Sequence, residues 1–160
     1  MKVIIDTREQ LPLPFTVDVK KGGFVTAIKH EALSVGDYAC EFEDGYRPNI
    51  FFERKSLPDL FGTMTSGYVR FKKEYERFAD IQDKTKEFWL YMESSLFTVA
   101  GGYHRSEFGG ESMIKKLFTL FERYNIHLLF NPNREESCEF MIQRWAARGR
   151  EYMAEKGMKK

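Results

Sequence analysis

Three short runs of consecutive apolar residues, Val3-Ile4-Ile5, Ile50-Phe51-Phe52 and Phe88-Trp89-Leu90-Tyr91-Met92, limit what this chain can become more than any other feature. Each is short, β-branched or aromatic in character, and bounded by polar residues, which predicts a buried strand instead of a helix. Each also runs straight into charge, at Asp6-Thr7-Arg8-Glu9, Glu53-Arg54-Lys55 and Glu93. Residues 24–29 alternate enough for a second strand, and 38–42 and 49–54 form a pair. Between that pair lies Glu43-Asp44-Gly45-Tyr46-Arg47-Pro48, whose Asp-Gly step and proline signal a hairpin turn.

From Leu57 the period changes. Leu60, Phe61, Met64, Tyr68, Phe71, Tyr75 and Phe78 recur at three- and four-residue steps, the spacing of an amphipathic helix, and Gly62 and Gly67 predict that it is broken or irregular. Helices are also expected at 111–124 and from 134 to about 153, with a strand at 126–130 and a turn at Asn131-Pro132-Asn133. The stretch 94–110, with Gly101-Gly102 and Gly109-Gly110, reads as a long mobile surface loop to which the sequence assigns no role. Early strands followed by alternating helix and strand give an α/β fold, a mixed sheet flanked by helices on both faces.

At 160 residues, 42% hydrophobic and 16% aromatic, the chain has material for one buried core and too little for two ordinary domains. One domain spanning 1–160 is expected, with a basic tail from about 154 to 160. Twenty-five basic residues against 24 acidic give a net charge of +1, so any field that attracts nucleic acid must be local. Arg70, Lys72, Lys73 and Arg77 form one candidate patch, and Arg144, Arg148, Arg150, Lys156, Lys159 and Lys160 another; both also resemble ordinary solvated helix faces. Cys40 and Cys138 lack the spacing of a zinc site or disulfide framework and read as small buried hydrophobes. With no apolar run of membrane-spanning length, and with Met1-Lys2 leading directly into a strand pattern, a soluble intracellular protein is expected, cytoplasmic in a bacterial or viral setting and nuclear in a eukaryotic one.

The Asp44-Gly45 turn permits a geometric expectation. In an antiparallel hairpin centred near Gly45, Asp37 faces Glu53, two like charges side by side at the open end. Lys55, two residues beyond Glu53, projects from the same strand face. Such repulsion calls for a cation or a shared proton, and hard carboxylate oxygens suit Mg²⁺ or Mn²⁺. A lysine beside them can orient or help deprotonate water and offset charge on a phosphorane-like transition state. Asp6 and Glu9 could bring further carboxylates to the same edge. Spacing alone equally describes a surface charge run at a strand end; the apolar Ile50-Phe51-Phe52 before the triplet and Asp37 across the hairpin weigh against that account.

Asp6-Thr7-Arg8-Glu9, Gly36-Asp37-Tyr38, Glu53-Arg54-Lys55-Ser56 and Asp59, in this order and spacing, resemble the nuclease domain of the XPF family of structure-specific DNA endonucleases. That family's signature is Gly-Asp, a variable stretch, Glu-Arg-Lys, three residues and Asp, preceded by an Asp-x-Arg-Glu strand end. The likeness continues through Tyr68-Val69-Arg70-Phe71 and Leu90-Tyr91-Met92-Glu93. It implies a restriction-endonuclease-like fold and a Mg²⁺ or Mn²⁺ ion held by Asp37 and Glu53, with Asp6 or Glu9 assisting. It further implies Lys55 in catalysis, Arg8, Arg54 and Asp59 in support, and Arg8 and Arg70, with neighbouring Lys72 and Lys73, in contact with DNA. The family's fork and flap cutters usually carry tandem helix-hairpin-helix motifs, and none is recognisable here. If the chain is complete, duplex engagement must come from this domain, a dimer partner or another protein.

The leading expectation is a metal-dependent endonuclease acting on branched or junction-containing DNA in repair, recombination or replication. The alternatives are a non-catalytic DNA-binding or scaffold subunit, and a nuclease of the same fold acting on plain duplex or single strands. Because family nuclease domains commonly pair, a homodimer or a heteromeric partner through this domain is expected, with the aromatic final helix as a contact surface; Phe140, Trp145 and Tyr152 could equally cover the sheet.

Overall fold

The computed structural model describes residues 1–18 and 24–158. Its strands are β1 (Lys2–Asp6), β2 (Ala27–Glu31), β3 (Tyr38–Glu41), β4 (Ile50–Lys55), β5 (Glu87–Met92) and β6 (His127–Phe130). Its helices are α1 (Leu57–Met64), α2 (Tyr68–Ala79), α3 (Leu96–Gly101), α4 (Gly110–Tyr124) and α5 (Arg134–Glu155). The strands form one sheet in the order β2-β1-β3-β4-β5-β6. β3 runs antiparallel to both β1 and β4, whereas the β1–β2, β4–β5 and β5–β6 pairs are parallel.

Strict alternation along the central strands divides the interior into two layers. Ile50 and Phe52 of β4 and Tyr91 of β5 join Val3, Ile5, Tyr38 and Cys40 on one face, which α5 covers with Cys138, Met141 and Trp145. Phe88, Leu90 and Met92 face the other way, against Leu60, Phe61 and Met64 of α1, Phe71 and Phe78 of α2, and Met113, Leu117 and Leu120 of α4. Helices therefore cover both faces, as the strand–helix alternation requires. Both cysteines are buried free thiols, and burial pushes Cys138 up to about 12. None of the described helices is long and apolar enough to cross a membrane.

Two expectations are corrected, and of the two readings of the α5 aromatics one fits the packing. The second strand lies at Ala27–Glu31, pairing in parallel with β1, a few residues later than its alternation indicated. The long loop at 94–110 contains α3, capped by Ser95, whose hydroxyl accepts from the Thr98 amide at 3.0 Å, and anchored by fully buried Val99. Its glycines serve packing: Gly102 adopts φ +86°, and a Cβ on Gly110 would lie 2.1 Å from the Ala100 carbonyl oxygen, so α3 and α4 approach closely only because it is absent. Finally, the aromatic residues of α5 point inward. Trp145 is fully buried and donates to the Ile50 carbonyl at 3.0 Å, Phe140 packs edge-on against Phe52, and Tyr152 stacks on Tyr46. Of the expected basic tail, Ala154 and Glu155 belong to α5, and Lys159 and Lys160 lie outside the described residues.

Candidate active site

Because β1, β4 and β5 share a direction and β3 opposes them, Asp6, Asp37, Glu53, Lys55 and Glu93 all come to one end of the sheet. The hairpin register pairs Tyr38 with Phe52, so the next positions outward are Asp37 and Glu53. Gly36, at φ +69°, turns the chain into β3 so tightly that a Cβ there would lie 3.0 Å from the Phe52 carbonyl oxygen. Asp37 is then stitched in on both sides. Its amide donates to the Phe52 carbonyl and its carbonyl accepts from the Asp6 amide, both at 2.8 Å. Its Oδ2 accepts from the Arg54 amide at 2.8 Å, which fixes the carboxylate at the end of β4. Glu53 is 5% exposed, and its Oε1 accepts from Lys55 Nζ on the same strand face.

Burial dominates the electrostatics. It pushes Asp37 up to about 6 against the pull of Lys55 and the Arg54 amide, with Glu9 and Glu74 adding to the rise. Burial likewise holds Glu53 well above the usual carboxylate range, opposed by Lys55 and reinforced by Asp37. For Lys55, burial acts downward, yet the attraction and hydrogen bond of Glu53 outweigh it, so the ammonium is held more firmly than usual. Two desolvated carboxylates thus share one lysine, and their proton affinities register unrelieved negative charge. Among the described residues no three or more His, Cys, Asp or Glu side chains gather closely enough to cage an ion. What the site offers instead is two hard-oxygen donors, one held from behind by a backbone amide. That set suits a cation that retains several waters, and it suits a thiol- or imidazole-loving metal poorly.

The other residues selected from the sequence divide between anchors of the sheet end and exposed positions. Asp6 is buried, but Oδ1 accepts from the Arg8 amide and Nε at 2.7 Å, and Oδ2 accepts from Arg8 Nη2 at 2.8 Å and the Leu33 amide at 2.7 Å. With its acceptor positions filled, and its acidity strengthened by Arg8 despite burial, Asp6 is an anchor instead of an available metal ligand. Arg8 is correspondingly tied to Asp6 and the Leu33 carbonyl. Glu9 accepts from the Leu11 amide and lies 3.4 Å from Arg54, which also pairs with Glu93; Glu93 in turn holds Arg134 at 2.8 Å. Arg54 is therefore locked beneath the sheet end, supporting the site without facing it. Asp59 completes a reciprocal cap with Ser56 at the start of α1 and is exposed. Arg70, Lys72 and Lys73 are exposed on α2, with Lys72 loosely paired to Glu76 at 3.8 Å. Arg144 pairs with Glu87 and Arg148 with Glu155, which removes both from any open basic patch, whereas Arg77 donates to the Ser34 carbonyl and keeps an exposed charge, unneutralised among the described residues, beside Arg70 and Lys73 on α2.

One residue at the site escaped the sequence reading. Glu74 of α2 accepts from the Gly36 amide at 3.0 Å, immediately before Asp37. A signal for it existed: Glu74 falls at three- and four-residue steps from Phe71 and Phe78, a charge set into the apolar stripe of an amphipathic helix.

Comparison with known proteins bears on the same region. Residues 5–143 match the family model described as the ERCC4 domain. Among solved structures, XPF from Aeropyrum pernix in complex with DNA is similar at a TM-score of 0.60 and 20% identity, over 92% of this chain and 66% of that one. A second structure of XPF from Aeropyrum pernix gives 0.60 and 19%, over 91% and 61%. The chain thus spans about two thirds or less of the length of these proteins. At such identity the likeness establishes the fold, which is the restriction-endonuclease-like one. A search of curated proteins by sequence finds no match.

Proposed function

Taking as premise that the chain belongs to the ERCC4 domain family, a family of DNA nucleases, we propose that it is a Mg²⁺- or Mn²⁺-dependent endonuclease that hydrolyses phosphodiester bonds in branched or junction-containing DNA. The observation that carries this reading is the buried Asp37–Glu53 pair, balanced by Lys55 alone at one end of the sheet. Asp37 and Glu53 would hold the ion. When bound there, the metal supplies Lewis acidity toward the scissile phosphate and the attacking water. Lys55, on the same strand face as Glu53, is placed to donate toward the phosphate and stabilise the charge that builds on its oxygens, or to help deprotonate the attacking water. The Arg54 amide and Gly36 keep Asp37 in place, and the Glu9–Arg54–Glu93–Arg134 chain keeps the strand end rigid.

DNA binding is supported by the family and by the DNA complex of the Aeropyrum pernix protein. In this chain the exposed Arg70, Lys72 and Lys73 of α2 are the residues assigned to the phosphate backbone. The presence of both carboxylates and the lysine disfavours a non-catalytic scaffold. Labelled flap, fork, plain-duplex and single-stranded DNA incubated with the purified protein in Mg²⁺ or Mn²⁺ is the test. Cleavage confined to junction-containing substrates is expected, falling about 10²–10³-fold or more in Glu53→Ala and Lys55→Ala. Absence of metal-dependent cleavage, or cleavage unchanged in Glu53→Ala, contradicts the assignment, and equal cleavage of plain duplex or single strands contradicts the junction preference.

A further inference from the structure

The geometry points to Glu74 as the positioning residue of this site, holding Asp37 in place through the Gly36 amide and deepening the negative field that a divalent cation meets. This rests on the metal-dependent reading above. The helix that carries Glu74 packs Phe71 and Phe78 into the core, which aims the intervening carboxylate at the chain entering β3. There it accepts from the Gly36 amide at 3.0 Å, and one turn later Arg77 Nε donates to the Ser34 carbonyl at 2.9 Å. From the opposite side β4 presses on the same segment, through the close approach of Gly36 to the Phe52 carbonyl and the 2.8 Å bond from the Asp37 amide to that oxygen. The loop that presents Asp37 is therefore clamped between α2 and β4.

A clamp needs only an acceptor, and an uncharged one would serve. Glu74 is instead a carboxylate, and among the described residues no Lys or Arg stands within ion-pair distance of it, Arg8 feeling it only from farther away. Its field reaches Asp37, Glu53 and Lys55. Glu74 thus adds negative charge behind two carboxylates that are already desolvated, and a cation bound by them would meet a deeper field. Groups behind first ligands characteristically do both things, fixing the ligand's orientation and tuning its charge.

Glu74→Gln retains an oxygen acceptor and removes the charge; Glu74→Ala removes both. Mn²⁺ affinity of the full chain, followed by the EPR signal of free Mn²⁺, is expected to weaken about 10–100-fold in Glu74→Ala and about 3- to 10-fold in Glu74→Gln. Amide exchange at Gly36, followed by NMR without metal, should accelerate in Glu74→Ala and stay near wild type in Glu74→Gln. Wild-type Mn²⁺ affinity in Glu74→Ala overturns the proposal, as does a Gln variant impaired as severely as Ala, because the hydrogen bond would then position nothing. Should the wild type bind no Mn²⁺, the metal reading and the field role fall together. The Gly36 exchange still judges the clamp by itself, and unchanged exchange in Glu74→Ala overturns that too.

Discussion

Asp37, the proposed metal ligand, shows what a buried carboxylate does to the protein that carries it. Its carboxyl is raised from an ordinary 3.8 to about 6, so the folded state binds a proton more tightly than the unfolded chain. The stability linked to that proton is fully present below about pH 4 and is lost as pH rises through about 6. At pH 8 the ionised, metal-free Asp37 therefore disfavours the folded state. Asp37→Asn, which keeps an oxygen for the Arg54 amide, is expected to raise the melting temperature of chelator-treated protein at pH 8 and to leave it unchanged near pH 4. A variant less stable than wild type at pH 8 contradicts the account of burial. The groups held at low values, Asp6 among them, act in the opposite sense, losing stability as pH falls through their own lowered range, so the comparison must be made between variant and wild type at each pH. At this scale the sequence was informative where geometry is local. Asp37, Glu53 and Lys55 followed from one turn and a two-residue step. Asp6, Arg54 and Asp59 were named as residues that matter, but their partners, Arg8 and Leu33, Glu93, and Ser56, decide what each does. Glu74 was missed because its hydrogen bond joins positions 38 apart.

At the scale of elements, period and turn chemistry gave the central strands, the break between α1 and α2 and the extents of α4 and α5 to within a few residues. The failure at 94–110 has a physical cause. Paired glycines signal mobility in a sequence, and they equally permit two backbones to touch; only the packing of α3 on α4 separates these meanings. Gly110→Ala therefore makes a sharp test of the fold. Its methyl would collide with the Ala100 carbonyl, and because backbone cannot swing aside like a flexible side chain, a loss on the order of 3 kcal/mol is expected in urea unfolding. A change within about 0.5 kcal/mol, typical of surface positions, contradicts the α3–α4 contact. Similarly, the inward aromatic side of α5 was an open choice in the sequence, because an amphipathic stripe does not state whether a sheet or a partner covers it. Trp145 settles it by reaching the Ile50 carbonyl.

For the whole molecule, a net charge of +1 means that the proposed affinity for DNA would rest on a few placed cations. If Arg70, Lys72 and Lys73 each neutralise a phosphate, changing all three to alanine should flatten the log–log salt dependence of DNA binding by about 2–3. An unchanged slope moves the DNA path away from α2. The central claim stands nearer the sheet end, in the pairing of two buried carboxylates around a divalent ion. Anomalous scattering from Mn²⁺-soaked crystals tests it most directly. The account predicts one strong peak about 2.0–2.2 Å from oxygens of both Asp37 and Glu53, lost in Glu53→Gln. Crystals that show no manganese between these two carboxylates, or manganese bound only elsewhere, contradict it.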